Sequence, residues 1–255
     1  MSDNPVKEQH QVSDLETLSV NANKVEDNPA LTGSIVPTFI KYLMPSLLGL
    51  IAMTSASLVD GIFIGNYLGT TALAAVNLII PITTLMFGVG IMLSIGGSVR
   101  SGKYLGEKNV TAASAIFSKT LLFVLLYACV AIALALIFEI QLFFALGATP
   151  ELFPTMSEYY RIIMPFLLPQ LITVVLYFFV RMDGAPNLAA AALMVGAVIN
   201  MVLDYLFIAV YGWGLEGAAY ATGLSQLFSM SVLMFYFTTT SRVLSFRMRQ
   251  SNWGE

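Results

Sequence analysis

LAAAALMVGAVINMVLDYLFIAV, residues 188–210, carries a single charge, Asp204. The run exceeds the roughly 20 residues that cross a bilayer as a helix, and it is too long for a strand of a membrane barrel. An open strand in lipid would leave its backbone groups unpaired. The stretch therefore reads as a membrane helix. A carboxylate inside such a helix is costly, and it is usually kept because it handles an ion, a proton or a charged substrate. SLVDGIFIG, residues 57–65, poses the same problem with Asp60.

The rest of the chain agrees. It is 57% hydrophobic and 11% charged, with a mean hydropathy of +0.80, whereas soluble domains carry about 25% charged residues. The fold class is all-α, a polytopic membrane protein. Six spans are expected, near 34–64, 71–97, 112–138, 154–180, 187–210 and 215–240, within a membrane lobe over 34–240. Breakers separate them: Gly65 to Gly69, a loop from Gly102 to Asn109, Gly147 to Pro154, Asp183 to Pro186, and Gly212 to Gly214. The acidic excess is confined to residues 1–33, which hold six acids against Lys7 and Lys24. This segment lacks an apolar run after a basic start, so it reads as a solvated, disordered cytoplasmic tail rather than a signal peptide. Residues 241–255 read as a basic cytoplasmic segment.

Lysine and arginine set the orientation. Arg100, Lys103 and Lys108 lie between spans two and three, Arg181 between four and five, and Arg242, Arg247 and Arg249 after span six. The alternate loops hold Arg161 among Glu139, Glu151, Glu158 and Glu216. Both termini are therefore expected in the cytoplasm, with the chain multi-pass in a cell membrane. This orientation puts Asp60 near the outer end of span one and Asp204 deeper in span five. Tyr159 and Thr222 then share the outer half of the membrane with them. Asn200 and Asp204, four residues apart, share a helix face. Pro45 interrupts the span that carries Asp60, where a lost backbone hydrogen bond bends a helix. Pro81, Pro165 and Pro169 fit equally the general frequency of proline in membrane helices.

Each residue also has a plainer reading. Asp60 serves as well as an interfacial residue at a helix end, and Asp204 as a merely structural group. Tyr159 and Trp213 suit an aromatic belt. Glu139 and Glu158 read as solvated. An echo links the two aspartates: Asp60 is followed by Phe63, Ile64 and Tyr67, and Asp204 by Phe207, Ile208 and Tyr211, at identical offsets.

Several functions lose support. Gly97 to Lys103 nearly spells a phosphate-binding loop, but Tyr104 stands where a serine or threonine would hold Mg²⁺, and no strand precedes it. The only histidine, His10, lies in the tail, and the only cysteine, Cys129, in an apolar run. Histidine-, cysteine- and metal-cluster-based hydrolysis therefore lack their residues; a paired-aspartate protease built on Asp60 and Asp204 stays conceivable with nothing else to support it, and the chain does not read as an enzyme. No basic patch beyond the topology charges suggests nucleic acid.

MPSLLGLIAMTSASLVDGIFIGNYLG (44–69), RSGKYLGEKN (100–109) and INMVLDYLFIAVYGWGLEGAAYATGLSQ (199–226) together resemble the multidrug and toxic compound extrusion (MATE) transporters, in their bacterial drug-exporter branch. The resemblance covers about residues 34–240. It implies an antiporter of the bacterial inner membrane that exports organic, often cationic and aromatic drugs, driven by Na⁺ or H⁺ and needing no cofactor. It implies ion-handling roles for Asp60, Tyr159, Asn200, Asp204 and Thr222, with Na⁺ held at Asp60, Asn200, Asp204 and Thr222. It also implies a kink at Pro45. Family members have two six-helix lobes, and this chain matches the amino-terminal one. A second lobe is thus required, either a carboxy-terminal half or a second copy of the chain. The alternatives are a flippase for lipid-linked precursors, which would want basic residues in its cavity, and a six-helix channel subunit, for which no filter-like loop is found.

Overall fold

A computed structural model describes residues 34–239 and Leu244 of the chain. The expected tail, 1–33, and nearly all of the basic segment, 241–255, lie outside the described residues. Six long helices follow one another: α1 (Ile35–Phe63), α2 (Gly69–Gly106), α3 (Val110–Ile137), α4 (Phe153–Met182), α5 (Pro186–Asp204) and α6 (Gly214–Thr238). Helices are the form in which a lipid-embedded chain satisfies its own backbone. All six are long and apolar enough to cross a bilayer, α1 and α2 as one nearly continuous helical path from Ile35 to Gly106. That path folds back at Gly69, whose φ of 87° only glycine adopts readily. Its two arms then face one another, so that Leu50 and Ile91 line one cavity and Asp60 and Asn77 another.

Local signals account for the other ends. The Asn109 side chain accepts a hydrogen bond from the Ala112 backbone N–H at 3.0 Å and caps α3. Prolines 154 and 186 sit in the first turns of α4 and α5, where no intrahelical donor is missed. Two expectations need correction. The loop expected from Gly102 is helical as far as Gly106. Small residues just before it hold α2 close to α3: a Cβ on Gly97 would lie 2.1 Å from Thr120 Oγ1, and Ser101 Oγ donates to the Ala113 carbonyl at 2.9 Å. Glu139, expected in solvent, is buried. A short helix, Glu139–Ala145, turns it back against α4, where it accepts hydrogen bonds from Ser157 and from Arg161 Nε at 2.9 Å. Burial is tolerated because the carboxylate is paired.

Helices α4 and α6 form the centre of the bundle. Helix α4 packs on α2, α3, α5 and α6, while α1 packs chiefly on α5 and leaves much of its surface open. Close crossings occur at glycines. A Cβ on Gly196 of α5 would lie 2.0 Å from Ser229 Oγ of α6, and one on Gly223 of α6 would meet the Phe166 ring of α4 at 2.2 Å. Small residues that let backbones approach are how helices associate in lipid, where burial in itself gives no advantage. The turn at Gly69, the Glu139–Leu152 connection and the turn at Gly212 share one side of the bundle, called here the Gly69 side. The Glu107–Asn109 and Asp183–Ala185 connections share the other, the Asn109 side. On that second side Asp183 receives hydrogen bonds from Tyr236 Oη at 2.9 Å and the Leu244 N–H at 3.3 Å.

Candidate functional site: a polar cavity between α1, α2 and α4

The echo between the two aspartates has a structural form. Each aspartate is followed by a π-helical segment, Ile64–Leu68 after α1 and Tyr205–Val210 after α5. Isoleucines 64 and 208 are buried at matching places. Phe63 stacks on Tyr67 at 5.8 Å and Phe207 on Tyr211 at 6.3 Å. Phe63 also meets Tyr205, at 6.4 Å, which joins the two segments. A π-helical turn inserts an extra residue and re-aims the side chains around it, frequently at functional sites.

This geometry changes how the two carboxylates are ranked. Sequence placement makes Asp204 the deeper of the two. In the structure the helical path of α1 continues past Phe63 to Leu68, which covers Asp60 by two further turns. The aspartates therefore stand at matching heights. What separates them is access. Asp60 is half-buried and lines a cavity of about 260 Å³, whereas Asp204 is 0% exposed and lies behind that wall.

The other expected residues gather around the pair. Tyr159 of α4 is buried, with its hydroxyl close enough to interact electrostatically with both Asp60 and Asp204. This excludes the aromatic-belt reading for Tyr159; Trp213, half exposed and stacked on Phe207 at 4.6 Å, suits it. Asn200 Nδ2 donates to Thr222 Oγ1 at 3.4 Å. Thr222 lies on the wall of the same cavity as Asp60 and of a smaller niche, about 130 Å³, shared with Asn200. All five residues thus meet on one side of the bundle. Pro45 is remote from them, inside an uninterrupted helix, where the Ser46 hydroxyl bonds to the Tyr42 carbonyl.

Both oxygens of Asp204 and Oδ1 of Asp60 are buried without a hydrogen-bond partner among the described residues. Buried carboxylate oxygens left in that state are costly, and a proton or a cation removes the cost. No group of three or more His, Cys, Asp or Glu side chains gathers among the described residues. A cation here would be held by two carboxylates with the amide oxygen of Asn200 and the hydroxyl of Thr222. Such an all-oxygen set suits a hard ion.

Sequence reasoning missed part of the cavity wall. Ser57, Asn77, Thr83, Thr84 and Gln170 line the cavity beside Asp60, and Gln226 lines the two neighbouring cavities. The signal was present, since amides and hydroxyls inside apolar helices are as informative as Asn200, but without the α1–α2 fold-back nothing set them apart.

Residues 45–206 match the MatE family, a stretch that runs from Pro45 past Asp60, Tyr159, Asn200 and Asp204. The chain belongs to the MatE family. Members of the MatE family are transporters rather than enzymes. The probable multidrug resistance protein YoeA of Bacillus subtilis is 30% identical over 80% of this chain and 45% of its own length. The FAD transporter of Shewanella oneidensis is 29% identical over 88% of this chain and 52% of its own. Among solved structures, a multidrug resistance MATE transporter in an outward-facing conformation superposes with a TM-score of 0.76. It is 25% identical over 90% of this chain and 49% of that structure. The chain spans about half the length of the relatives it matches.

Proposed function

We propose that the chain is the amino-terminal lobe of a cation-coupled exporter of organic, cationic and aromatic compounds. The observation that carries this reading is the pair of carboxylates at matching heights, one open to a cavity and one sealed behind it with both oxygens unpartnered. An exporter of this kind needs a site that alternates between a coupling ion and a substrate. Asp60 is placed to meet a cationic substrate in the cavity. In this reading Asp204, with Asn200 and Thr222, holds Na⁺ or H⁺. Export follows if loading the ion at Asp204 and seating the substrate at Asp60 disfavour each other, each ligand shifting the populations of the two states.

A second lobe completes the transporter in this reading, as a carboxy-terminal half or as a second copy. Six spans return the chain to the side on which it started, so a parallel pair of lobes about the membrane normal is geometrically allowed. The likeness to an inward-facing neighbour, with a TM-score of 0.72 over 89% of the chain, is close to that with the outward-facing one. This suits lobes that move against one another as bodies.

The relative that transports FAD raises an anionic substrate as a second reading. None of the three cavities is lined by lysine, arginine or histidine, and the largest is lined by Asp60. That lining favours cations and neutral rings over phosphates, and it weighs equally against a flippase for lipid-linked pyrophosphates. The test is gradient-driven efflux of a cationic dye from proteoliposomes holding the assembled protein, with Na⁺ and H⁺ gradients applied separately. No efflux under either gradient overturns the reading.

A further inference from the structure

Three cavities meet at one side chain. The first, about 260 Å³, carries Asp60, Asn77 and Thr84. The second, about 200 Å³, lies toward the Asn109 side and is walled by Leu50, Met53, Phe87, Tyr177 and Phe178. The third, about 130 Å³, is the niche that holds Asn200. Gln170 of α4 lines all three, and Gln226 of α6 lines the second and third.

Resting on the export reading above, we propose that Gln170 determines specificity, by hydrogen bonding to the amide- or imide-type edge of a planar aromatic substrate. The wall composition supplies the first reason. The first cavity mixes apolar residues with a carboxylate, hydroxyls and amides, while the second is almost wholly apolar and rich in aromatic rings. A flat ring seated among Phe87, Tyr177 and Phe178 brings its edge to the junction where Gln170 stands. The second reason is availability. The Gln170 and Gln226 side chains are half-buried and hydrogen-bond to no described residue, so donor and acceptor atoms of both amides are open to the cavity. A carboxamide in a desolvated pocket rewards a ligand that pairs with it and penalises one that leaves it unpaired. The third reason is placement. Gln170 follows Pro169, whose carbonyl accepts from Thr173 Oγ1 at 2.8 Å, and it is flanked by the buried Leu167 and Leu171. Its backbone is thus fixed by the packing of α4, as a recognition residue requires.

The test is equilibrium binding to the full 255-residue chain in lipid nanodiscs. The probes are lumiflavin, a neutral ring with an imide N–H, and its N3-methyl derivative, which keeps the ring and loses the donor. The wild-type chain should prefer lumiflavin by up to about tenfold, the range of one hydrogen bond. Gln170→Leu should bring the ratio to about one while the methylated ring still binds. Should Gln170→Leu lose both probes, Gln170→Asn decides, since it keeps the amide but withdraws it by one methylene. A reduced ratio there supports the proposal, and an unchanged ratio overturns it. A wild-type ratio of one, binding of neither ring by the wild type, or a full ratio in Gln170→Leu also overturns it. Failure of the export reading gives a different result: no gradient-driven efflux by the assembled protein, with the binding ratio intact.

Discussion

The Asn200 amide, one helical turn before Asp204 on α5, donates a hydrogen bond to the Thr222 hydroxyl of α6 at 3.4 Å. The contact spans a crossing that Gly196 keeps close, since a Cβ there would collide with Ser229 of α6. The Asn200 amide oxygen, one helical turn along α5 from the buried Asp204, accepts no hydrogen bond from the described residues. Asn200 and Thr222 thus bring an amide and a hydroxyl to the side of the bundle where both Asp204 oxygens lack a described hydrogen-bond partner.

Asp204→Asn keeps shape and removes charge. In the assembled transporter it should abolish gradient-driven dye efflux, while expression stays near the wild-type level. Asp60→Asn should weaken efflux less for a neutral substrate than for a cationic one, because Asp60 faces the cavity and Asp204 does not. Proteoliposome efflux with paired neutral and cationic dyes measures both effects. Equal loss for the two dyes in Asp60→Asn would contradict a substrate-facing role.

Thr222→Val replaces the hydroxyl by a methyl of similar volume. The Asn200 amide then loses a hydrogen bond worth about 0.5–1.5 kcal/mol, and the ion site loses one oxygen. A severalfold rise in the Na⁺ or H⁺ concentration needed for half-maximal transport is expected, with little change in melting temperature. An unchanged ion dependence would remove Thr222 from the site.

Gly223→Ala places a Cβ against the Phe166 ring, 2.2 Å from its nearest atoms. Overpacking of this kind costs about 1–3 kcal/mol. Gly88→Ala, with nothing within 4 Å of the added carbon, is the control, and it should leave stability unchanged or slightly raised. Thermal unfolding in detergent compares the two. Equal melting temperatures would mean that α4 and α6 separate more easily than their packing implies.

Orientation can be read by single-cysteine labelling after Cys129 is replaced. Lys108→Cys should react only with reagent on the cytoplasmic side, and Glu151→Cys only from outside. Both positions are exposed and lie on opposite sides of the bundle. The reverse pattern would invert the topology and turn the cavity to the other face of the membrane.

The apolar runs by themselves determined the helices. A chain in lipid has few alternatives that pair its backbone, so length and hydropathy were sufficient to place all six, their ends within a few residues except at the end of α2, which runs on to Gly106. They also singled out Asp60, Asn200, Asp204, Tyr159 and Thr222, because polar groups at membrane depth are few and helical rise converts sequence position into height. Helical rise says nothing about which way a side chain faces or what stands across from it. Only the tertiary structure decided that Asp60 meets the cavity while Asp204 is sealed, since this depends on how α1 and α5 pack and on the π-helical turns after each aspartate. Only the fold-back at Gly69 set Asn77 opposite Asp60. Glu139 shows the same limit: hydropathy put it near the surface, and burial came from Ser157 and Arg161, about twenty positions away in sequence. Gln170 became distinct for the same reason, because a junction of three cavities exists only once the helices that wall them are in place.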